Sequence, residues 1–154
     1  PNRKELLFDS KGEDSIVTDL FYGGFENYEP ETLSIFLSLL KGTDTFIDVG
    51  ANSGIFSLVA TKMVSSVNVF SFEPENKSFG YFKGYIRANG VGNIQAENKA
   101  VSDVNGDLTF YIPESSKLPL GPGSSKARAS SSFPSAPPYV RGAKAEISDE
   151  YTCN

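Results

Sequence analysis

Histidine and tryptophan are absent from this 154-residue sequence, which holds one cysteine and one methionine. The lack of histidine excludes Ser/His/Asp and Cys/His catalysis and zinc sites that use imidazole, and no metal site is expected. Cys153 has no second cysteine for an internal disulfide and no histidine to activate it as a nucleophile. Any proton transfer must therefore use a carboxylate, a lysine, a tyrosine or water.

Long apolar runs and strongly basic segments are also missing. No run approaches the roughly 18 apolar residues of a membrane helix, and no charged start with an apolar core marks a secretory signal. We therefore expect a cytoplasmic protein with no membrane span. The net charge of -5 and the lack of a Lys/Arg-rich run disfavour nucleic acid as a partner.

The first forty residues contain two kinds of pattern. Residues 5–8 and 15–21 are predicted as short strands around a polar turn, and Gly23 and Gly24 end the second. An amphipathic helix is predicted from Pro30 until Gly42, because its apolar residues recur at helical spacing: Leu33, Phe36, Leu37 and Leu40.

Strands and helices alternate in the middle of the chain. Residues 45–49 and 67–72 are predicted as buried strands, and residues 93–101 as a third strand. A helix with Ile55 and Leu58 inside follows the first strand, and a helix that ends at Asn89-Gly90 follows the second. Such alternation predicts an α/β fold with a parallel sheet. Asn105-Gly106 predicts a hairpin turn before an antiparallel strand at 107–112.

Composition divides the chain into four segments. Residues 1–28 form the N-terminal strands and approach, and residues 29–112 form the α/β core. In residues 113–143, 17 of 31 residues are Ser, Pro or Gly, which predicts a loop or linker. Residues 144–154 would begin a further part of the fold.

Residues 48–54, DVGANSG, place an acid at a strand end directly before a glycine-rich turn and a helix. Open α/β sheets bind ligands at this position. Gly50 and Gly54 allow tight turning and a close backbone approach, and Asn52 tolerates a left-handed conformation. We expect the turn to leave space and free N–H groups for a ligand.

Two carboxylates at neighbouring strand ends indicate the type of ligand. Asp48 would repel a phosphate but can pair with an ammonium group, and Glu73 stands where an acid accepts the hydroxyls of a ribose. We expect both to face one crevice that binds S-adenosylmethionine. A nicotinamide dinucleotide is disfavoured, because Asn52 and Ile55 replace the second and third glycines of G-x-G-x-x-G.

Three motifs resemble the FkbM-type methyltransferases, a branch of the class I enzymes that use S-adenosylmethionine. They are DVGANSG at 48–54, FEP at 72–74 and NKAVSD at 98–103, with Gly106 beyond them. The segment of residues 23–29, which ends in Tyr28-Glu29 before the helix predicted from Pro30, is also similar to that family. The resemblance covers roughly residues 20–112 and implies a Rossmann-like sheet, here truncated after the third parallel strand and a hairpin.

The resemblance also implies a function and a site. It implies methyl transfer to a hydroxyl oxygen of a small molecule, sugar or lipid-linked glycan. Its cofactor-binding positions are Asp48, Gly50, Ala51, Asn52, Gly54, Glu73, Pro74, Ala100, Val101 and Ser102. The catalytic base is not identified.

Two alternatives stay open, namely a non-catalytic module that binds S-adenosylmethionine or a partner, and an NAD-dependent oxidoreductase. The family's later KIDVEG-like strand is missing, so residues 46–49 would lie on an open sheet edge. We expect a second copy or a missing C-terminal segment to cover that edge.

Overall fold

The computed structural model describes residues 3–10, 12–103, 105–107, 109 and 140–147. Strands and helices alternate through most of this part of the chain. In order they are β1 (Lys4–Ser10), α1 (Ser15–Gly23), a 3-10 helix (Phe25–Asn27), α2 (Pro30–Leu39), β2 (Thr45–Val49), α3 (Ile55–Met63), β3 (Asn68–Phe72), α4 (Asn76–Asn89), β4 (Ile94–Glu97) and β5 (Val140–Ile147). None of the described helices is long and apolar enough to cross a membrane.

The central sheet is parallel and has the strand order β2-β3-β4. Each strand is followed or preceded by a helix, as parallel connections require. The predicted α/β class is therefore confirmed. The third strand is shorter than predicted, because β4 ends at Glu97 and residues 98–101 are not in a strand.

Helix α1 corrects one prediction. Residues 15–21 were expected to form a strand, because Ile16, Val17 and Thr18 are β-branched, but residues 15–23 are helical. The carboxylate of Asp14 caps this helix by accepting hydrogen bonds from the backbone N–H groups of Ile16 at 3.0 Å and Val17 at 3.4 Å. The cap and the burial of Val17 and Leu20, three positions apart, outweigh the strand propensity.

Helices α2 and α3 cover one face of the sheet. Phe46 of β2 contacts Phe36 of α2, with ring centroids 5.0 Å apart, and Phe36 makes an edge-to-face contact with Phe56 of α3 at 5.1 Å. The prediction that Pro30 begins α2 is confirmed, and Leu33 and Leu37 are its buried residues. These aromatic contacts join the two helices to β2.

Strand β2 lies at an edge of the sheet, with no strand beyond it among the described residues. Its alternate residues Ile47 and Val49 are each 60% exposed. The prediction of a buried strand is therefore wrong for this face of β2, whereas the position of β2 at an edge of the described sheet agrees with expectation. An edge strand with an unpaired backbone side and exposed apolar residues favours pairing with another chain or segment.

A second, two-stranded sheet is formed by β1 and β5, which pair antiparallel. The strand predicted at 5–8 is confirmed, and it extends to residues 4–10. Residues 140–143 belong to β5, although their composition was assigned to the loop at 113–143. The strand predicted at 107–112 falls mostly outside the described residues.

The two-stranded sheet is attached to α4 by a side-chain amide and an aromatic contact. Asn89 accepts a hydrogen bond from the N–H of Leu7 at 3.0 Å and donates one to its carbonyl at 2.7 Å. The amide therefore bonds to β1 as a neighbouring strand would. Phe8 packs edge-to-face on Tyr85 with centroids 5.1 Å apart, and the hydroxyl of Tyr85 donates to the buried carboxylate of Asp14.

Candidate functional site

The carboxyl ends of the three parallel strands lie side by side at one end of the sheet. Val49 pairs with Phe72, and Phe72 pairs with Glu97. The chain therefore brings the segments that follow β2, β3 and β4 together at Gly50, Glu73 and Asn98. This is the crevice position at which open α/β sheets bind ligands.

The turn at residues 50–54 has the backbone conformation that its sequence predicts. Gly50, Asn52 and Gly54 have φ values of 79°, 52° and 80°, all in the left-handed region. At Gly54 a Cβ atom would lie 2.0 Å from the nearest ring carbon of Phe82, whereas at Gly50 nothing lies within 4 Å. Gly54 therefore serves the packing of α4, and Gly50 leaves open space beside the turn.

Most N–H groups of the turn already have protein acceptors. The N–H groups of Gly50 and Ala51 donate to the carbonyl of Phe72 at 2.9 and 3.0 Å, and that of Gly54 donates to the carbonyl of Ala51 at 2.8 Å. The expectation that this turn offers these N–H groups to a ligand is therefore wrong. They hold the turn in shape instead.

Glu73 is a buried side chain that holds the turn by a hydrogen bond. It is 6% exposed, and its two carboxylate oxygens accept hydrogen bonds from the N–H groups of Asn52 and Glu75, each at 2.7 Å. One carboxylate thus joins the turn after β2 to the segment after β3. An ionised carboxylate has about four lone-pair sites, so each oxygen keeps acceptor capacity for a further partner.

Asp48 is half-buried beside α3. Its Oδ2 accepts a hydrogen bond from the hydroxyl of Ser57 at 2.5 Å. Burial raises the pKa of Asp48, the hydroxyl and N–H of Ser57 oppose that increase, and the charge of Glu73 adds to it. The two predicted carboxylates are thus within electrostatic reach of each other, although each has its own protein partners.

Tyr28 lies next to the first turn of α3. Its ring contacts that of Phe56 at a centroid distance of 6.3 Å. Burial raises the pKa of Tyr28, and nearby carboxylates raise it further: Glu29, Asp14, Asp48 and Asp19. A neutral phenol therefore borders a negatively charged region.

The segment after β4 is only partly joined to the site. The side-chain amide of Asn98 donates to the carbonyls of Glu73 at 2.8 Å and Pro74 at 3.1 Å. The predicted adenine-contacting residues beyond it are all exposed: Ala100, Val101 and Ser102. The structure therefore brings Asp48, residues 50–54 and Glu73 together, and it leaves Ala100, Val101 and Ser102 exposed.

Sequence reasoning missed three serines at this site. Ser57 and Ser71 are buried and bonded to each other, and Ser57 also bonds to Asp48. Ser53 is 1% exposed, and its hydroxyl has no hydrogen-bond partner among the described residues. A polar residue on the buried face of a predicted helix or strand was the available signal for Ser57 and Ser71.

Metal ligands are not grouped in the described part of the chain, where no three His, Cys, Asp or Glu side chains could hold an ion. Acidic side chains in the site face backbone N–H and hydroxyl donors instead.

The fold and site define an α/β domain whose parallel sheet carries a glycine-rich turn, with Glu73 bonded to the turn and Asp48 at the end of the strand that precedes it. No protein-family model and no curated protein matches the chain. Among solved structures it is similar to precorrin-6y C5,15-methyltransferase from Geobacter metallireducens GS-15, with 21% identity and a TM-score of 0.41. The match covers 45% of this chain and 38% of that one, which is less than half of either.

Proposed function

We propose that this chain is the cofactor-binding part of an S-adenosylmethionine-dependent methyltransferase. The observation that carries the proposal is the pair of carboxylates, Asp48 and Glu73, behind a turn with open space at Gly50. Two anions at one turn favour a cationic ligand. S-adenosylmethionine has a sulfonium and an ammonium group.

The same charges disfavour a dinucleotide. A pyrophosphate needs backbone N–H donors and no opposing negative charge, whereas here the N–H groups of Gly50, Ala51 and Asn52 are bonded within the protein. Half-buried Asp48 would also repel a phosphate. An NAD-dependent oxidoreductase is therefore the weaker proposal.

The residues present fit S-adenosylmethionine in three ways. Asp48 can attract the cationic end of the ligand, and Glu73 keeps lone pairs for ribose hydroxyls after its two backbone bonds. The buried hydroxyl of Ser53 has unused bonding capacity. When bound, the cofactor supplies an electrophilic methyl group to an acceptor. The proposed site is completed by Gly50, Ala51, Asn52, Gly54, Pro74 and residues 100–102.

The finer proposal is O-methylation by an FkbM-type enzyme, with a hydroxyl of a small molecule, sugar or lipid-linked glycan as acceptor. The motifs at 48–54, 72–74 and 98–103 support it. Methyl transfer to an oxygen depends on positioning, with a base to remove the hydroxyl proton. A non-catalytic module that binds the same cofactor is the second candidate, because no catalytic base is identified and β2 has no strand beyond it among the described residues.

Isothermal titration with S-adenosylmethionine, S-adenosylhomocysteine and NAD tests the proposal, followed by an assay of methyl release with candidate acceptors. We expect S-adenosylmethionine to bind and NAD not to bind. Binding without any methyl release would favour the non-catalytic module. Binding of NAD alone would overturn the proposal in favour of an oxidoreductase.

A further inference from the structure

A chain of buried hydroxyl groups ends on Asp48. The hydroxyl of Ser57 lies 2.5 Å from Oδ2 of Asp48 and 2.8 Å from the hydroxyl of Ser71. Ser57 is 0% and Ser71 1% exposed, so water cannot replace either partner. Asp48 and Ser71 are direct neighbours on β2 and β3, and Ser57 reaches both from α3.

The charge of Asp48 determines the direction of these hydrogen bonds. An ionised carboxylate only accepts, so Ser57 must donate its single proton to Asp48. Ser57 can then only accept from Ser71, which becomes the donor of the second bond. If Asp48 were protonated, this sequence of donors could reverse. The hydroxyl chain therefore stabilises the ionised form of Asp48 in surroundings of low dielectric constant.

The surroundings of Asp48 otherwise oppose its charge. Burial raises its pKa most, and the charge of Glu73 at the end of β3 acts in the same direction. Tyr28, which faces it from the segment before α2, stays neutral because burial raises the pKa of that phenol. Ser57 lowers the pKa of Asp48 through both its hydroxyl and its N–H.

We propose that Ser57, supported by Ser71, is a positioning residue that orients the Asp48 carboxylate and keeps it anionic for the cationic end of S-adenosylmethionine. This inference rests on the proposed function for the identity of the ligand. Its structural part, the control of Asp48 by Ser57, is independent of that ligand.

The test compares Ser57→Ala with Thr61→Ala. Thr61 is a buried residue of the same helix, and its hydroxyl donates to the carbonyl of Leu58 at 2.9 Å instead of a carboxylate. Both variants lose one buried hydroxyl, so both lose stability, and only Ser57→Ala removes a partner of Asp48. Ser71→Ala should have a smaller effect on Asp48 than Ser57→Ala, because it leaves the bond between Ser57 and Asp48 in place.

Two measurements are made on the full chain. The first follows the side-chain carboxyl carbon of Asp48 by NMR against pH without ligand, and the second is titration calorimetry with S-adenosylmethionine across the same pH range. Protonation of Asp48 removes its attraction for a cation, so affinity falls as pH falls through its pKa. In Ser57→Ala we expect that pKa to rise and the loss of affinity to begin at a higher pH.

At neutral pH we expect Ser57→Ala to bind S-adenosylmethionine about tenfold more weakly, the worth of a charge-assisted hydrogen bond. Thr61→Ala should stay within about twofold of the original chain, because it changes no partner of Asp48. An Asp48 titration that is the same in Ser57→Ala and Thr61→Ala would overturn the inference. A shifted titration in a chain that binds no S-adenosylmethionine would instead overturn the proposed function alone.

Discussion

Replacement of Gly54 by alanine tests how the turn at residues 50–54 is built. Both Gly50 and Gly54 have left-handed backbone angles, φ 79° and 80°. Alanine in that conformation costs about 1–2 kcal/mol. At Gly54 the added Cβ would also lie 2.0 Å from the ring of Phe82 in α4, whereas at Gly50 it would meet nothing within 4 Å. Gly50→Ala is therefore the matched control for backbone strain alone.

The expected magnitudes differ between the two variants. Gly50→Ala should lose about 1–2 kcal/mol of unfolding free energy. Gly54→Ala adds an overpacking cost of about 1–3 kcal/mol, for a total of about 2–5 kcal/mol. Since domains typically have about 5–15 kcal/mol in all, the second variant loses a large part of its stability. Each kcal/mol should lower Tm by about 2–4 °C in a chain of this size.

Urea denaturation and thermal melting of the ligand-free chain measure both losses. A double-mutant cycle with Phe82→Leu isolates the steric part, because a smaller side chain gives the Cβ room. We expect the additional cost at position 54 to shrink in the Phe82→Leu background. Equal losses for Gly50→Ala and Gly54→Ala would refute the claim that close packing of α4 requires Gly54.

Three further predictions concern charge and exposure. The folded pKa of Asp48 lies above its unfolded value, so its ionised form opposes folding above that pKa. Asp48→Asn should therefore raise Tm at pH 7, and this gain in Tm should shrink as pH falls through the folded pKa of Asp48. The same variant should weaken binding of S-adenosylmethionine. A lower Tm at pH 7 would contradict the destabilising role of the ionised Asp48. Tyr85→Phe should lower the free energy of unfolding by about 1–3 kcal/mol in urea denaturation, because the buried carboxylate of Asp14 loses a donor. Tyr81→Phe should lower it by about 0.5 kcal/mol or less, because the partner of that hydroxyl, Glu13, is exposed. Ile47→Lys on the open side of β2 should reduce self-association in light scattering, and an unchanged mass above that of a monomer would contradict pairing through this edge.

The parts of the fold that sequence patterns predict correctly are those with a local cause. Pro30 and the spacing of Leu33 and Leu37 indicate α2, and the predicted left-handed residue Asn52 has φ 52°. The strand prediction for residues 15–21 was wrong for a local reason as well. The β-branched residues of this segment indicate a strand, whereas the capping carboxylate of Asp14 favours a helix.

The contacts within the site are the features that local sequence patterns do not predict. Glu73 was predicted from its position at a strand end, but its bond to the N–H of Asn52, 21 positions away, depends on how the two strand ends meet. Likewise, nothing in the residues around Ser57 indicates that it bonds to Asp48 and Ser71. The roles of Ala100, Val101 and Ser102 stay predictions.

By itself, the sequence determined the alternation of strands and helices in residues 30–97, the glycine-rich turn and the position of two carboxylates at strand ends. These follow from periodicity and from backbone angles that few residue types adopt, which are properties of neighbouring residues. Only the tertiary structure decided which donors surround each carboxylate, why Gly54 must lack a side chain and which side of β2 is exposed. Those features depend on contacts between residues far apart in the chain, and such contacts exist only after the elements have packed.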